Sequence, residues 1–129
     1  MASAAGAQTL PRAARLRRAA EIQRVFERGS RVDRRGFVLL WRPDPQGRRA
    51  GFAVSRKVGG AVQRNHVRRR LREAYRRKSA AFPDGVMLVF VGRTAAGAAP
   101  FTELLADMGQ AGMLVGERME SPSGATRRR

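Results

Sequence analysis

The apolar residues of this chain follow helical spacing in some segments and form short continuous runs in others. Over residues 19–28, Ile22, Val25 and Phe26 recur at helical spacing, and Gly29 follows as a typical helix stop. This segment therefore predicts a short first helix.

Three apolar runs predict strands. Residues 37–42 read FVLLWR and residues 51–54 read GFAV, and together with the turn residues that follow them they predict two neighbouring strands. Residues 86–91 read VMLVFV, a continuous apolar run that predicts a fully buried core strand. Alternation along the first run is expected to place one set of side chains in the core, namely Phe37, Leu39 and Trp41.

Two longer segments predict helices. From residue 61 to about 78, arginines such as Arg64 and Arg68 cover the outer face of an amphipathic helix. From residue 100 to about 115, one face is apolar, although Gly109 and Gly112 weaken the helical propensity. The order helix, strands, helix, strand, helix predicts an α+β fold, built as an α/β two-layer sandwich. The apolar stripe of the basic helix consists of Val67, Leu71, Ala74, Tyr75 and the stem of Lys78.

Positive charge dominates the composition. The 129 residues include 27 Lys and Arg against 10 Asp and Glu, a net charge of +17, and only Lys57 and Lys78 are lysines. A compact fold with this charge repels itself unless a polyanion neutralises it, which predicts a nucleic-acid partner. The planar fork of arginine binds phosphate and stacks on bases, and so suits RNA. A genome that favours arginine codons is an alternative cause of the arginine bias.

Domain organisation and compartment are also expected from composition. Residues 1–11 and 119–129 lack apolar periodicity and are predicted to be flexible tails around a single RNA-binding domain at 12–118. The absence of cysteine fits a reducing compartment, and no stretch is long and apolar enough to span a membrane. The expected location is therefore the cytoplasm.

The strongest functional signal lies between Val54 and Lys78. This segment carries ten cations against a single carboxylate, Glu73. Arginines three and four residues apart place like charges side by side, which destabilises an isolated helix, so an external anion is expected to compensate. The alternative is a solvated helix face, but solvated faces normally mix both signs of charge.

Residues 55–73 read SRKVGGAVQRNHVRRRLRE and resemble the signature of the protein subunit of bacterial ribonuclease P, which has the form S-x-K-x-G-x-A-V-x-R-N-R-[IV]-[KR]-R. The resemblance extends over about residues 16–115. Two positions depart from the family: His66 stands where the second arginine of R-N-R is usual, and Arg70 stands where an apolar residue is common. The matching residues are Ser55, Lys57, Gly59, Ala61, Val62, Arg64, Asn65, Val67, Arg68, Arg69, Leu71, Arg72 and Glu73.

This resemblance implies a ribosomal-protein-S5-domain-2-like fold, with a mixed sheet of about four strands, three helices and a left-handed βαβ crossover that contains the basic helix. The helix would dock on the catalytic RNA of the enzyme. His66 keeps a hydrogen-bond donor but lacks a permanent charge at neutral pH. The residues expected to bind RNA are Arg56, Lys57, Arg64, Asn65, His66, Arg68, Arg69 and Arg72.

The resemblance also implies a cleft, between the first helix and the sheet, for the single-stranded 5′ leader of precursor tRNA. Ile22 and Leu40 stand where the family often has aromatic residues, so base stacking in the cleft should be weaker. A buried core position is the alternative for Phe26. The residues expected in the cleft are Ile22, Phe26, Val38 and Leu40.

The function expected from the resemblance is that of a subunit of ribonuclease P, the ribonucleoprotein endonuclease that removes the 5′ leader. The protein would bind the catalytic RNA and precursor tRNA, lower the requirement for Mg²⁺, which the RNA mainly holds, and be a monomer without RNA. No catalytic residue and no metal site in the protein alone are predicted. His66 is the only histidine, and the carboxylates are scattered rather than paired as in a two-metal nuclease.

Two alternatives remain open at the level of the sequence. A ribosomal or ribosome-assembly protein would have equal basicity and a related fold, and it would co-purify with ribosomal subunits. A free-standing nuclease would degrade RNA with no RNA subunit present, and it would need catalytic groups that this sequence lacks.

Overall fold

The computed structural model describes residues 27–120 together with Gln23. The first helix and the two tails predicted from the sequence fall almost entirely outside this part of the chain. Short 3-10 turns at Arg56–Val58 and Ser79–Ala81 flank the basic helix. The other elements are β1 (Ser30–Asp33), β2 (Phe37–Pro43), β3 (Arg49–Val54), α1 (Ala61–Lys78), β4 (Val86–Gly92), α2 (Ala95–Ala98) and α3 (Phe101–Glu120).

Within the described residues, the four strands form one mixed sheet in the order β1-β2-β4-β3. β2 pairs antiparallel with β1 and β4, whereas β3 and β4 are parallel and are joined by α1, because a parallel pair needs a crossover connection. The predicted mixed four-stranded sheet is confirmed. The prediction that β2 and β3 are neighbours is wrong, because β4 lies between them. The sequence pattern does not predict β1, since only Val32 among its residues is buried.

The face of the sheet that packs against the helices holds the main core. Phe37, Leu39 and Trp41 lie in this core, as the alternation along β2 predicts. Five aromatic rings meet around β4, with neighbouring ring centres 5.2 to 5.9 Å apart in edge-to-face, tilted and stacked arrangements. The rings belong to Phe37, Phe52, Tyr75, Phe82 and Phe90.

α1 approaches the sheet closely at Gly92, the last residue of β4. A Cβ added there would lie 2.5 Å from Val67 Cγ1 and 2.8 Å from Leu71 Cδ1. Both of these side chains belong to the predicted apolar stripe, whose burial is confirmed except for the exposed Lys78. Because glycine has no side chain, Gly92 allows α1 to pack this close to the sheet.

α3 continues to Glu120, beyond the end predicted near residue 115. Gly109 and Gly112 do not interrupt it. A Cβ added at Gly112 would lie 2.9 Å from the Ala81 carbonyl oxygen and 2.9 Å from Phe82 Cδ1. The glycine allows close packing of α3 against the turn after α1, and this contact offsets its low helical propensity.

Candidate nucleic-acid interface

The eight residues predicted to bind RNA lie on α1 and on the 3-10 turn before it, and we call this set the α1 surface. Arg64 and Arg68 are half-buried, so they do not point fully outward as the sequence predicts. The six exposed members are Arg56, Lys57, Asn65, His66, Arg69 and Arg72.

The half-buried arginines form a row with Arg72 on the β3 side of α1, because residues four apart share one side of a helix. The guanidinium carbon of Arg72 lies 5.7 Å from the centre of the Phe52 ring on β3. Arg68 Nη1 donates to Asn65 Oδ1 at 2.8 Å, while Arg64 Nε is buried without a hydrogen-bond partner. Protein contacts thus hold part of this cationic row in place.

Five cations of the α1 surface form no ion pair within the described residues. Among the residues that the structure describes, no ion pair involves Arg56, Lys57 or Arg69, and the same holds for Arg64 and Arg68. Elsewhere the carboxylates pair with cations of other surfaces: Asp33 with Arg31 and Arg93, Asp44 with Arg49, and Glu103 with Arg35. The α1 surface therefore keeps a concentrated positive charge.

Glu73 is the single carboxylate of α1. Its Oε2 accepts hydrogen bonds from Arg76 Nη2 at 2.6 Å and from Arg77 Nε at 2.8 Å. The hydrogen bond from Arg76 lowers the pKa of Glu73 from 4.5 to about 2, burial opposes this shift, and the hydrogen bond from Arg77 adds to it. The last turn of α1 is thus partly neutralised by the protein itself.

The lowered pKa of Glu73 predicts a pH-dependent contribution to stability. A group whose pKa is depressed by folding stabilises the native state above its unfolded pKa, here 4.5, and this contribution is lost as the pH falls towards about 2. Urea unfolding of the native chain and of Glu73→Gln at pH 7, 5 and 3 measures it. The free-energy difference between the two proteins should shrink between pH 5 and pH 3, and a constant difference would contradict this assignment.

His66 and Arg70, the two departures from the family signature, both contact the short helix α2. His66 Nε2 lies 3.3 Å from the Gly97 carbonyl oxygen. Arg70 Nε donates to the Ala96 carbonyl at 2.7 Å, and Arg70 Nη2 donates to the Ala99 carbonyl. Unpaired carbonyls at the carboxyl end of a helix favour a cation. Arg70 is therefore engaged inside the protein.

The Phe101 ring at the start of α3 adds to this contact. The guanidinium carbons of Arg70 and Arg77 lie 5.4 and 5.3 Å from the ring centre, a distance at which cation–π attraction is favourable. Arg70 thus joins α1 to both α2 and α3, whereas the adjacent Arg69 is exposed. The guanidinium group of Arg69 is therefore more available to an external anion than that of Arg70.

Comparing Arg69→Ala with Arg70→Ala tests this division of roles. Arg70→Ala should lower the free energy of unfolding by about 1–3 kcal/mol, because it leaves two carbonyl groups without their charged donor. Arg69→Ala should change it by less than about 0.5 kcal/mol, as is usual for an exposed site, and should weaken RNA binding more. Urea unfolding and filter binding measure the two effects, and equal stability of the two variants would contradict the role given to Arg70.

The face of the sheet away from α1 and α3 carries a second apolar cluster, which we call the far-face cluster. Val38 and Leu40, both predicted for the leader cleft, lie in it and are each 9% exposed. Met87 and Val89 of β4 complete it, and their alternation with Leu88 could have revealed them in the sequence. Ile22 and Phe26, the other predicted cleft residues, lie outside the described residues.

Neither a metal centre nor a membrane span is found in the part of the chain that the structure describes. No three side chains of His, Cys, Asp or Glu are grouped there so that they could hold a metal ion. No helix there is long and apolar enough to cross a membrane.

Comparison with known proteins gives the family of the chain. The family described as Ribonuclease P matches residues 10–113. A ribonuclease P protein component from Gluconacetobacter diazotrophicus is 45% identical over 100 residues, which cover 75% of this chain and 86% of that protein. The chain belongs to the ribonuclease P protein family. Another ribonuclease P protein component, from Acidothermus cellulolyticus, is 43% identical over 104 residues, covering 76% and 84% of the two chains.

A solved structure of the ribonuclease P protein family supports the fold. The RNase P protein from Thermotoga maritima aligns with this chain at a TM-score of 0.68 and 27% identity, over 76% of this chain and 94% of that one. The mixed sheet and the helices packed on one of its faces are therefore those of the family. The family signature and the α1 surface coincide in this fold.

Proposed function

We propose that this chain is the protein subunit of a ribonuclease P ribonucleoprotein, which removes the 5′ leader from precursor tRNA. One observation supports this proposal above the others. In this member of the family, Arg56, Lys57 and Arg69 of the α1 surface are exposed and form no ion pair in the described part of the chain. Folded RNA supplies a matching array of phosphates.

In this proposal the α1 surface docks on the catalytic RNA. Arg56, Lys57 and Arg69 are exposed and able to approach phosphates. Arg64 and Arg68 would add positive charge from half-buried positions on the same surface. Each phosphate neutralised in this way releases counterions, so binding should weaken steeply as salt rises. His66 has a smaller part here, because its Nε2 faces the Gly97 carbonyl.

The far-face cluster would form the floor of the cleft for the leader. Val38 and Leu40 are nearly buried, so they offer a narrow apolar strip rather than a stacking platform. Aromatic side chains hold single-stranded bases by about 1–3 kcal/mol per base, and the described members of this cluster include no aromatic residue. Leader binding in this chain should therefore depend more on charge than on stacking.

The RNA is proposed to carry out the cleavage with Mg²⁺ that it binds itself. The described residues of the protein offer no cluster for a metal ion, so the protein would act through its positive charge. By neutralising phosphates on substrate and ribozyme, it would do part of the work that Mg²⁺ otherwise does and so lower the Mg²⁺ concentration needed.

Reconstitution with a bacterial ribonuclease P RNA tests the proposal. At low Mg²⁺, adding the protein should raise kcat/KM for a precursor tRNA with a leader by at least about tenfold, which corresponds to about 1.4 kcal/mol. The protein without RNA should leave the same precursor intact. A lack of stimulation at every salt and Mg²⁺ concentration would contradict the proposal, and stoichiometric recovery with ribosomal subunits would favour the ribosomal alternative.

A further inference from the structure

Arg42 extends the far face of the sheet beyond its apolar cluster. Side chains alternate along β2, so Arg42 points to the same face as Val38 and Leu40. Arg42 pairs with Met87 of β4 in the register of the sheet, and Met87 belongs to the far-face cluster. Four residues of strand place Arg42 about 13 Å from Val38 along the strip.

One donor of the Arg42 guanidinium group lacks a hydrogen-bond partner. Its Nη1 atom is buried without a hydrogen bond, and Arg42 forms no ion pair with any described residue. Leaving a buried donor unpaired costs about 1–3 kcal/mol, and native proteins contain few such groups. An unpaired arginine donor beside a proposed ligand cleft is well placed to bind an anion.

The Asp44 carboxylate, which the charge of Arg42 influences, is already engaged by other donors. Asp44 is 3% exposed; its Oδ2 accepts from Arg49 Nη2 at 2.7 Å and Nε at 3.1 Å, and its Oδ1 accepts from the Gln46 N–H at 2.9 Å. Burial would raise the pKa of Asp44, but these donors and the charges of Arg49 and Arg42 together lower it, so the group is anionic. Arg49 is hydrogen-bonded to Asp44, and Arg42 acts on the same carboxylate only through its charge. One carboxylate against two arginines leaves a net positive charge at this end of the far face.

We propose that Arg42 binds a phosphate of the single-stranded 5′ leader and fixes how far the leader extends along the cleft. The inference rests on the proposed function, because it takes the far face as the leader site. A guanidinium group suits this role, since it can donate two parallel hydrogen bonds to phosphate oxygens. The neighbouring Val38 and Leu40 are apolar and nearly buried, so Arg42 would add a charged contact that these side chains cannot supply.

The test uses the reconstituted holoenzyme and precursor tRNAs in which one leader phosphate at a time is a neutral methylphosphonate. In the native holoenzyme, one position should weaken precursor binding about fivefold to tenfold when its charge is removed. Arg42→Met, which keeps the apolar stem, should weaken binding of the unmodified precursor by the same factor. At that position the two changes should not add, because they remove the same contact.

Arg35→Met is the matched control. Arg35 is also a cation near a strand end, but it is exposed and pairs with Glu103 at 3.1 Å, so this variant should respond to every methylphosphonate as the native protein does. Arg42→Lys should restore part of the affinity, since it keeps the charge without the fork. Urea unfolding of Arg42→Met checks that the fold is retained.

The outcomes separate this inference from the proposed function. If the native holoenzyme binds long-leader and one-nucleotide-leader precursors equally well, the leader site itself is wrong. If the native protein shows leader-dependent binding but the effects of Arg42→Met and of each methylphosphonate are fully additive, the leader site stands and the role of Arg42 is overturned.

Discussion

Replacing Arg56, Lys57 and Arg69 together by alanine is expected to weaken binding of ribonuclease P RNA by about 100-fold near 100 mM salt, if each charged contact contributes about 1 kcal/mol. All three side chains are exposed and have no ion pair within residues 27–120. Their removal therefore breaks few contacts inside the protein. The slope of log K against log salt should fall by about 2 to 3.

The matched control removes three cations from other surfaces. Arg34 and Arg35 lie between β1 and β2, and Arg118 lies near the end of α3. Their replacement by alanine changes the net charge by the same amount, so a difference between the two triple variants reports the location of the charge. Filter binding over a series of salt concentrations measures it. Equal losses of affinity and of slope would show that only the overall charge matters.

Gly92→Ala is expected to lower the free energy of unfolding by about 2–3 kcal/mol, within the range found for overpacked cores. The new methyl group would lie 2.5 Å from Val67 Cγ1 and 2.8 Å from Leu71 Cδ1. These side chains are 2% and 0% exposed, so neither can move into solvent. Relief requires α1 to shift outward, and equilibrium urea unfolding measures the cost.

Gly116→Ala is the control for this substitution. Gly116 lies within α3, and an added Cβ meets nothing within 4 Å. Alanine should therefore stabilise the helix by about 0.5–1 kcal/mol. Because α1 carries the proposed RNA-binding surface, Gly92→Ala should also weaken RNA binding, whereas Gly116→Ala should leave it unchanged. If the Gly92→Ala protein is as stable as the native chain, α1 does not pack as closely against Gly92 as described.

The elements with strong periodicity could be predicted from the sequence. The basic helix has the predicted bounds, 61 and 78, because its apolar stripe repeats over several turns. The buried run at 86–91 is confirmed as a strand that is covered on both faces. The pairing of strands could not be predicted in the same way, because local patterns specify a strand but not its neighbours. β1 could not be predicted because it is short and has a single buried residue, Val32.

The candidate site was predictable in composition but not in geometry. The sequence identifies the cations of α1, yet it does not separate the exposed Arg69 from the engaged Arg70. That difference depends on Ala96 and Ala99, which are far away in the chain and offer their carbonyl groups only after folding. Alternation along β2 likewise predicts the far-face position of Arg42. The sequence does not predict that one of its donors lacks a hydrogen bond, because that depends on Arg49 binding Asp44 in the folded protein.

β4 separates the two proposed RNA sites by the thickness of one strand. Leu88 and Phe90 support α1 from below, while Met87 and Val89 line the opposite side. The catalytic RNA and the precursor tRNA would therefore bind on opposite faces of the sheet, with β4 between them. A change of volume in β4 should disturb recognition of both RNAs at once. Genetic screens for substrate-specific defects should therefore find few substitutions in this strand and more at Arg42 of β2.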